Sequence, residues 1–525
     1  MAPGGGAMPE LDGGMDWRSL PNAIDEMPWY KNKGHRKLIF FISICYMGQF
    51  LNGYDGTITG SLQAIDRWNH DLGYPDSSQI GLMNAMSYIA GLLSGPIAAY
   101  TADRFGRKNN MRWYAVSMLI GTVLGCLAGL PQLEGRGSWG MFCASKFIIG
   151  SGLATALMTM QILLQEISHP RHRAICAAAF NQNWTLGHVL SAWISFGTST
   201  INNSWSWRIP YLIQAVFAVY IIIAIQFVPE SPRWLAAQGR MTEAKQWLID
   251  YHGNGNPDDA LVNLEWEELT AAIAAEKEAK QEKWSVLLKS PANRYRLWLA
   301  ALFTLVPQWV ILRSVGITGS ATLTGIGAGL SMWGWFVQAV SYWVMARVKR
   351  RTMMLSTWPF LIIFNACTTA TSAIFAKTGN QSAGIAAVAF VWLYSGADNF
   401  VTGIFYSYPS EVLSFSLRAK GMAVWNTVNQ ATGLYNAYGN SVALGAIGWK
   451  YYTVFLGLLF IWYGLLWYFM VETKGLTLEE IDILFNGKDS AVAAVDARLE
   501  SGLAHEGVTV AKTSPAGEEK DKESI

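Results

Sequence analysis

Apolar runs long enough to cross a membrane alternate with short polar segments along most of this chain. They fall near 38–60, 79–100, 111–130, 140–164, 174–197, 208–228, 296–312, 323–345, 353–375, 384–408, 421–446 and 450–471. A spanning helix needs about 20 mostly apolar residues. Six runs lie on each side of a polar stretch at 229–293. The pattern predicts an all-α membrane protein of twelve transmembrane helices, with six-helix bundles at 38–228 and 294–471. Residues 1–37 read as a cytoplasmic leading segment and 229–293 as a cytoplasmic loop with short helices. Residues 472–525 read as a cytoplasmic tail, small, polar and disordered after about 488.

Charge sets the expected orientation, because Lys and Arg are retained on the cytoplasmic side. Lys31, Lys33, Arg36 and Lys37 precede the first run. Arg104, Arg107, Lys108 and Arg112, then Arg171 and Arg173, then Arg347, Lys349, Arg350 and Arg351, then Arg418 and Lys420 occupy alternate loops. The other loops hold scattered single charges such as Arg67, Arg136, Arg313, Lys377 and Lys450. Both termini and the central loop are therefore expected in the cytoplasm. The first 30 residues lack an apolar core, so no cleavable signal is expected. In the central loop, signs alternate from Glu265 to Lys283, which suits solvated helices with i,i+4 pairing.

Composition agrees and narrows the class. Charged residues make up 14% of the chain, against roughly 25% in soluble domains. No basic patch on a solvated domain points to nucleic acid. The five cysteines lie in apolar runs at no metal-ligand spacing and read as small core residues. No phosphate loop, His-Glu-x-x-His pattern or nucleophile elbow argues for an enzyme, and no cofactor or metal is implied.

The halves repeat each other. Asp103-Arg104-Phe105-Gly106-Arg107-Lys108 corresponds to Ala346-Arg347-Val348-Lys349-Arg350-Arg351. Glu166 and Arg173 correspond to Glu411 and Arg418, and Pro229-Glu230-Ser231 to Val471-Glu472-Thr473. Offsets of 242–245 residues relate all three pairs. Two bundles flanking a midplane cavity, rocking to give alternating access, is the architecture this implies. Acids and bases at these helix ends can latch the bundles together when the cavity faces outward. Anchoring of helix ends is the plainer alternative. It accounts for the bases but not for Asp103, Glu166, Glu230, Glu411 and Glu472.

These motifs resemble those of the sugar porter family of the major facilitator superfamily. The resemblance rests on the Asp103–Lys108 segment, Pro229-Glu230-Ser231-Pro232-Arg233-Trp234-Leu235, Glu411 through Gly421, and Glu472-Thr473-Lys474-Gly475-Leu476-Thr477-Leu478-Glu479-Glu480. Trp17 through Tyr54-Asp55-Gly56, with Trp184 and Trp193, is similar to fungal lactose-permease-like and hexose-transporter-like members. The similarity covers roughly 17–487. It implies a lipid-embedded carrier of a hexose or disaccharide, with facilitation and proton symport both open. The chain departs from the family in three places. Its second-half loop has Ala346 and Lys349 where the family has Asp and Gly, and Val471 replaces Pro. Span seven is shortened, because Gln308-Trp309 runs straight into Val310-Ile311-Leu312-Arg313. A non-transporting sugar sensor or defunct permease is therefore the rival reading.

The resemblance also nominates residues. Asp55 matches the span-one Asp that takes the coupling proton in proton-coupled members, and Lys146 stands where those members carry Arg. Weakening such a pair during rocking would let the carboxylate accept a proton, although a structural ion pair would look the same in sequence. Asn181, Gln308, Tyr406 and Asn429 match sugar-contacting positions, with Trp425, Asn426 and Gln430 close by. Interhelical hydrogen bonding and packing are the alternatives for these. Asp398, within span ten, is expected in the cytoplasmic or cavity-side network.

Overall fold

The first apolar run becomes a 31-residue helix, α1 (Lys33–Gln63), because Asn32 caps it by accepting from the His35 N–H at 3.0 Å. A computed structural model of the chain describes residues 30–130, 136–281, 285–304, 319–345, 347–413, 415–474 and 485. Residues up to Lys474 form one unit and those from Gly475 another, of which only Phe485 is described.

The described part is helical. A short α2 (Asp66–Asp71) precedes α3 (Ser77–Phe105), α4 (Arg107–Leu127), α5 (Arg136–Ile167), α6 (Arg173–Thr198) and α7 (Trp205–Ala224). The central loop folds into α8 (Pro232–Ala237), α9 (Met241–Tyr251), α10 (Ala260–Gln281) and α11 (Val286–Lys289). The second half contains α12 (Pro291–Leu302), α13 (Ser320–Met345), α14 (Arg350–Thr378), α15 (Gln381–Val412), α16 (Phe415–Ile447) and α17 (Tyr451–Phe469). Local chemistry marks the boundaries. Asp76 and Gln79 form a reciprocal capping box at α3. Ser231-Pro232 and Ser290-Pro291 each place a capping Ser before a helix-starting Pro.

The twelve apolar runs map onto α1, α3–α7 and α12–α17. Among the described residues, six helical stretches are long and apolar enough to span on hydropathy alone. Helix α6 falls short because it carries Asn181, Gln182, Asn183 and His188. Helix α12 has 12 residues, or about 18 Å of rise. The rest of the expected span seven lies outside the described residues.

Glycines let the spanning helices approach closely, as expected where lipid supplies no hydrophobic drive between helices. Gly53 on α1 lies against the Trp184 carbonyl, and Gly187 on α6 lies against the Phe50 carbonyl. Gly121 and Gly125 receive Ile149 and Tyr211 in the same way. Gly53→Val should therefore separate α1 from α6 and cost at least about 1–3 kcal/mol. A drop of several degrees in unfolding temperature in detergent is expected, and an unchanged melting curve would contradict the packing described.

The halves meet along two seams. On the first, Ser77 touches Gly445, the Ser78 and Tyr438 hydroxyls are 3.2 Å apart, Tyr88 covers Gly433 and Gln430 covers Gly91. On the second, Phe196 covers Gly325 and Gln182 Nε2 donates to the Trp335 carbonyl at 3.1 Å. These contacts run from the ends remote from the Lys/Arg motifs to the middle of the helices. Both seams thus hold together the ends remote from the basic motifs.

Candidate functional site

Inside the first bundle, Lys146 on α5 donates from Nζ to Asp55 Oδ1 on α1 at 2.8 Å, with the side chains 3% and 4% exposed. Neighbouring contacts hold both helices. Tyr54 OH donates to the Pro210 carbonyl at 2.7 Å. Ser87 Oγ donates to the Lys146 carbonyl at 3.2 Å. The Tyr211 ring lies 5.7 Å from Lys146 Nζ. A charge at this depth is costly without a partner, and here each ion supplies the other's. The pair is thus a buried ion pair that ties α1 to α5.

At the basic ends, the sequence repeat becomes a repeat of geometry. Gly106 has φ +95°, which lets α3 end and α4 begin immediately. Glu230 occupies the space beside it, 2.7 Å from where a Cβ would stand. Its carboxylate accepts from the backbone N–H groups of Arg107 at 2.7 Å and Lys108 at 3.2 Å. Burial pushes the Glu230 carboxyl above its ordinary range, opposed by those backbone donors. Arg107 reaches Glu166 through Nε and Nη2, both at 3.2 Å, and the Ala102 carbonyl at 3.0 Å. Asp103 Oδ1 lies 3.5 Å away.

The second half repeats this arrangement. Glu472 accepts from Arg350 N at 2.9 Å and Arg351 N at 3.0 Å. The Arg350 side chain faces Glu411 at 3.5 Å and donates to the Met345 carbonyl at 2.6 Å. Thr473 Oγ1 adds a bond to Glu411 at 2.5 Å. Lys349 can replace the expected Gly because its φ is −64°, a conformation open to any residue.

These contacts lie within each half, and the expected pairing between the bundles is not among them. Arg173 pairs with Glu265 of α10 at 3.4 Å and ties α10 to the first bundle. The Arg418 side chain lies outside the described residues, as do Gln308 and the Tyr406 side chain.

Asn181 lies on α6, and Asn429 and Gln430 on α16, helices that meet the other half. Asn181 is half-buried on α6, beside Gln182, whose amide bridges the two halves. Asn429 is half-buried on α16, and Gln430 is buried against Gly91. Asp398 is half-buried on α15. The sequence places Arg350 in the repeated motif without marking it as a network residue, and it does not mark Gln182 at all. The 243-residue offset from Arg107 could have singled out Arg350 from its basic neighbours, but Gln182 carries no such signal.

This is the two-bundle, pseudo-symmetric fold of major facilitator carriers. A family model described as sugar (and other) transporter matches residues 41–485, and the chain belongs to that family. It is 27% identical over 480 residues to a low-affinity glucose transporter of Saccharomyces cerevisiae, covering 85% of this chain and 81% of the relative. It is 26% identical over 477 residues to the sugar transporter STL1 of the same yeast, covering 86% and 82%. Among solved structures, the inward-open xylose transporter XylE from E. coli superposes with a TM-score of 0.69 at 17% identity, covering 85% of this chain and 99% of XylE. The protein is thus a multi-pass membrane protein of a sugar-transporter family.

Proposed function

We propose that this protein carries a hexose or disaccharide across the membrane by alternating access, with Asp55 as the proton-accepting group of a symporter. The buried 2.8 Å pair of Asp55 and Lys146 is the observation that carries this reading. A facilitator needs no ionisable pair at this depth, whereas a symporter needs a carboxylate whose proton affinity changes between states. Asn181, Gln308, Tyr406, Asn429 and Gln430 are assigned to the sugar, because polyols are held by convergent amides beside aromatic faces. The charge networks of Asp103, Arg107, Glu166 and Glu230, and of Arg350, Glu411 and Glu472, are assigned to control of rocking, with Arg173 and Arg418. The Lys/Arg bias of alternate loops supports cytoplasmic termini, and the plasma membrane is proposed as the site of action.

Uptake of labelled glucose, xylose and lactose into proteoliposomes, with and without an inward proton gradient, tests the proposal. Concentrative uptake that collapses with an uncoupler is expected for at least one sugar. The shortened span seven of the sequence, where Gln308-Trp309 runs into Val310-Ile311-Leu312-Arg313, favours the sensor or defunct permease as the second reading. That reading predicts saturable sugar binding with no uptake. A reporter placed after Gly239 should be accessible only from the cytoplasm, and labelling from outside intact cells would reverse the orientation.

A further inference from the structure

Four histidines meet where the central-loop helices rest on the first bundle. His35 opens α1, His169 and His172 lie between α5 and α6, and His252 follows α9. The His169 ring is 5.6 Å from His35, 6.0 Å from His172 and 5.2 Å from His252, and His35 is 6.2 Å from His172. His35, His169 and His252 are buried, whereas His172 is exposed. The interface is tight here. Gly34 abuts the Asp250 carbonyl, and its N–H donates to Asn254 Oδ1 at 3.2 Å. Phe41 packs edge-on against Tyr251 at 5.3 Å.

The bonding suits neutral rings at His35 and His169. His169 Nδ1 accepts from the Arg171 N–H at 3.3 Å, which requires that nitrogen to be unprotonated. His169 Nε2 and His35 Nδ1 are buried without a hydrogen-bond partner among the described residues. His252 is held between Glu265 Oε2 at 2.6 Å and the Ile167 carbonyl at 3.3 Å. The other charged groups facing the cluster are Arg171 and Arg173 from the α5–α6 segment and Glu265 and Glu268 from α10. Arg173 engages Glu265, and Asp250 on α9 is held by Gln246 at 2.8 Å. Among the described residues, no carboxylate makes a hydrogen bond or ion pair with His35 or His169.

We propose that this four-histidine cluster is a proton-sensitive clasp, holding α8–α10 on the first bundle at neutral pH and releasing them when their side of the membrane acidifies. The sign follows from burial. His35 is held down to about 4, first by desolvation and then by His172 and His252. His169 is also lowered, first by desolvation and then by its histidine neighbours and Arg171. A histidine with a docked pKa below its free value of about 6.5 favours docking above that value and loses the benefit as pH falls. At pH 5.5 each such group shifts the equilibrium about tenfold toward release. Docking itself depends on no transport assignment.

Hydrogen exchange of the purified full-length protein at pH 7.5 and 5.5, corrected for chemical exchange rates, tests this. Protection of 241–251 relative to α5 should fall by about tenfold for each of His35 and His169. H35Q/H169N should remove most of that response. H172Q leaves the buried rings in place, so it keeps the fold. It should move release to lower pH by removing a charge about 6 Å from both rings. Wild-type protection that is equal at the two pH values overturns the clasp. So does an unaltered pH response in a folded H35Q/H169N, or an unmoved release midpoint in H172Q.

Discussion

Asp55→Asn is expected to abolish accumulation of sugar against its gradient while leaving equilibrative exchange largely intact. The amide mimics the protonated acid in size and charge, so rocking survives while the pH-dependent partner of Lys146 is lost. Wild-type uptake should rise as external pH falls, because the proton is a co-substrate, and an uncoupler should suppress accumulation. Lys146→Ala should be worse than Asp55→Asn. It strands a carboxylate in a site built for a pair, and breaking a buried pair from one side costs about 3–5 kcal/mol. It should therefore depress both protein yield and exchange. Lys146→Arg keeps the cation and adds a bidentate fork, so it should retain coupling. Initial rates at pH 5.5 and 7.5, with counterflow as the exchange assay, separate these outcomes. If Asp55→Asn accumulates sugar like the wild type and uptake ignores pH, Asp55 is a structural residue and the protein a facilitator.

The spans were legible because lipid imposes a requirement on every window of about 20 residues. The twofold plan was legible because charged motifs at helix ends recur in register, and the structure puts Arg107 with Glu166 and Arg350 with Glu411. Partners chosen by tertiary phase were not legible. Glu265, Glu267, Glu268, Glu276 and Glu278 are equivalent in a charge run, yet Arg173 meets Glu265. Asp259 fixes the start of α10 by accepting from Leu261 and Val262 N–H at 3.0 and 3.2 Å, which sets the phase that turns Glu265 inward. The histidine cluster was hidden for the same reason. His35, His169 and His252 are separated by long stretches of sequence; packing of α1 on the α5–α6 segment joins His35 to His169, and docking of α9 adds His252. The candidate sugar groups stood out only through family resemblance, because an amide in a span reads equally as interhelical glue.

Glu230→Ala and Glu472→Ala should each cost about 2–4 kcal/mol and affect the two halves alike. Both carboxylates are supplied from the segment after the last helix of a bundle and close the amino end of a spanning helix, α4 or α14. Each satisfies two backbone N–H groups that otherwise lack partners. An unsatisfied buried donor costs about 1–3 kcal/mol, and the negative charge beside the helix dipole adds about 0.3–1 kcal/mol. Gln at either position keeps an acceptor but loses the charge, so it should fall between wild type and Ala. The motifs lie in separate halves with no shared partner, so the double variant should show the sum of the single losses. Initial uptake should fall in step with stability while the sugar KM stays near the wild-type value, because no binding group is touched. Thermal unfolding in detergent supplies the first readout and proteoliposome kinetics the second. A Glu230→Ala protein that melts with the wild type would remove the capping role. A double variant no worse than either single one would show that the two motifs act as one unit rather than as independent copies.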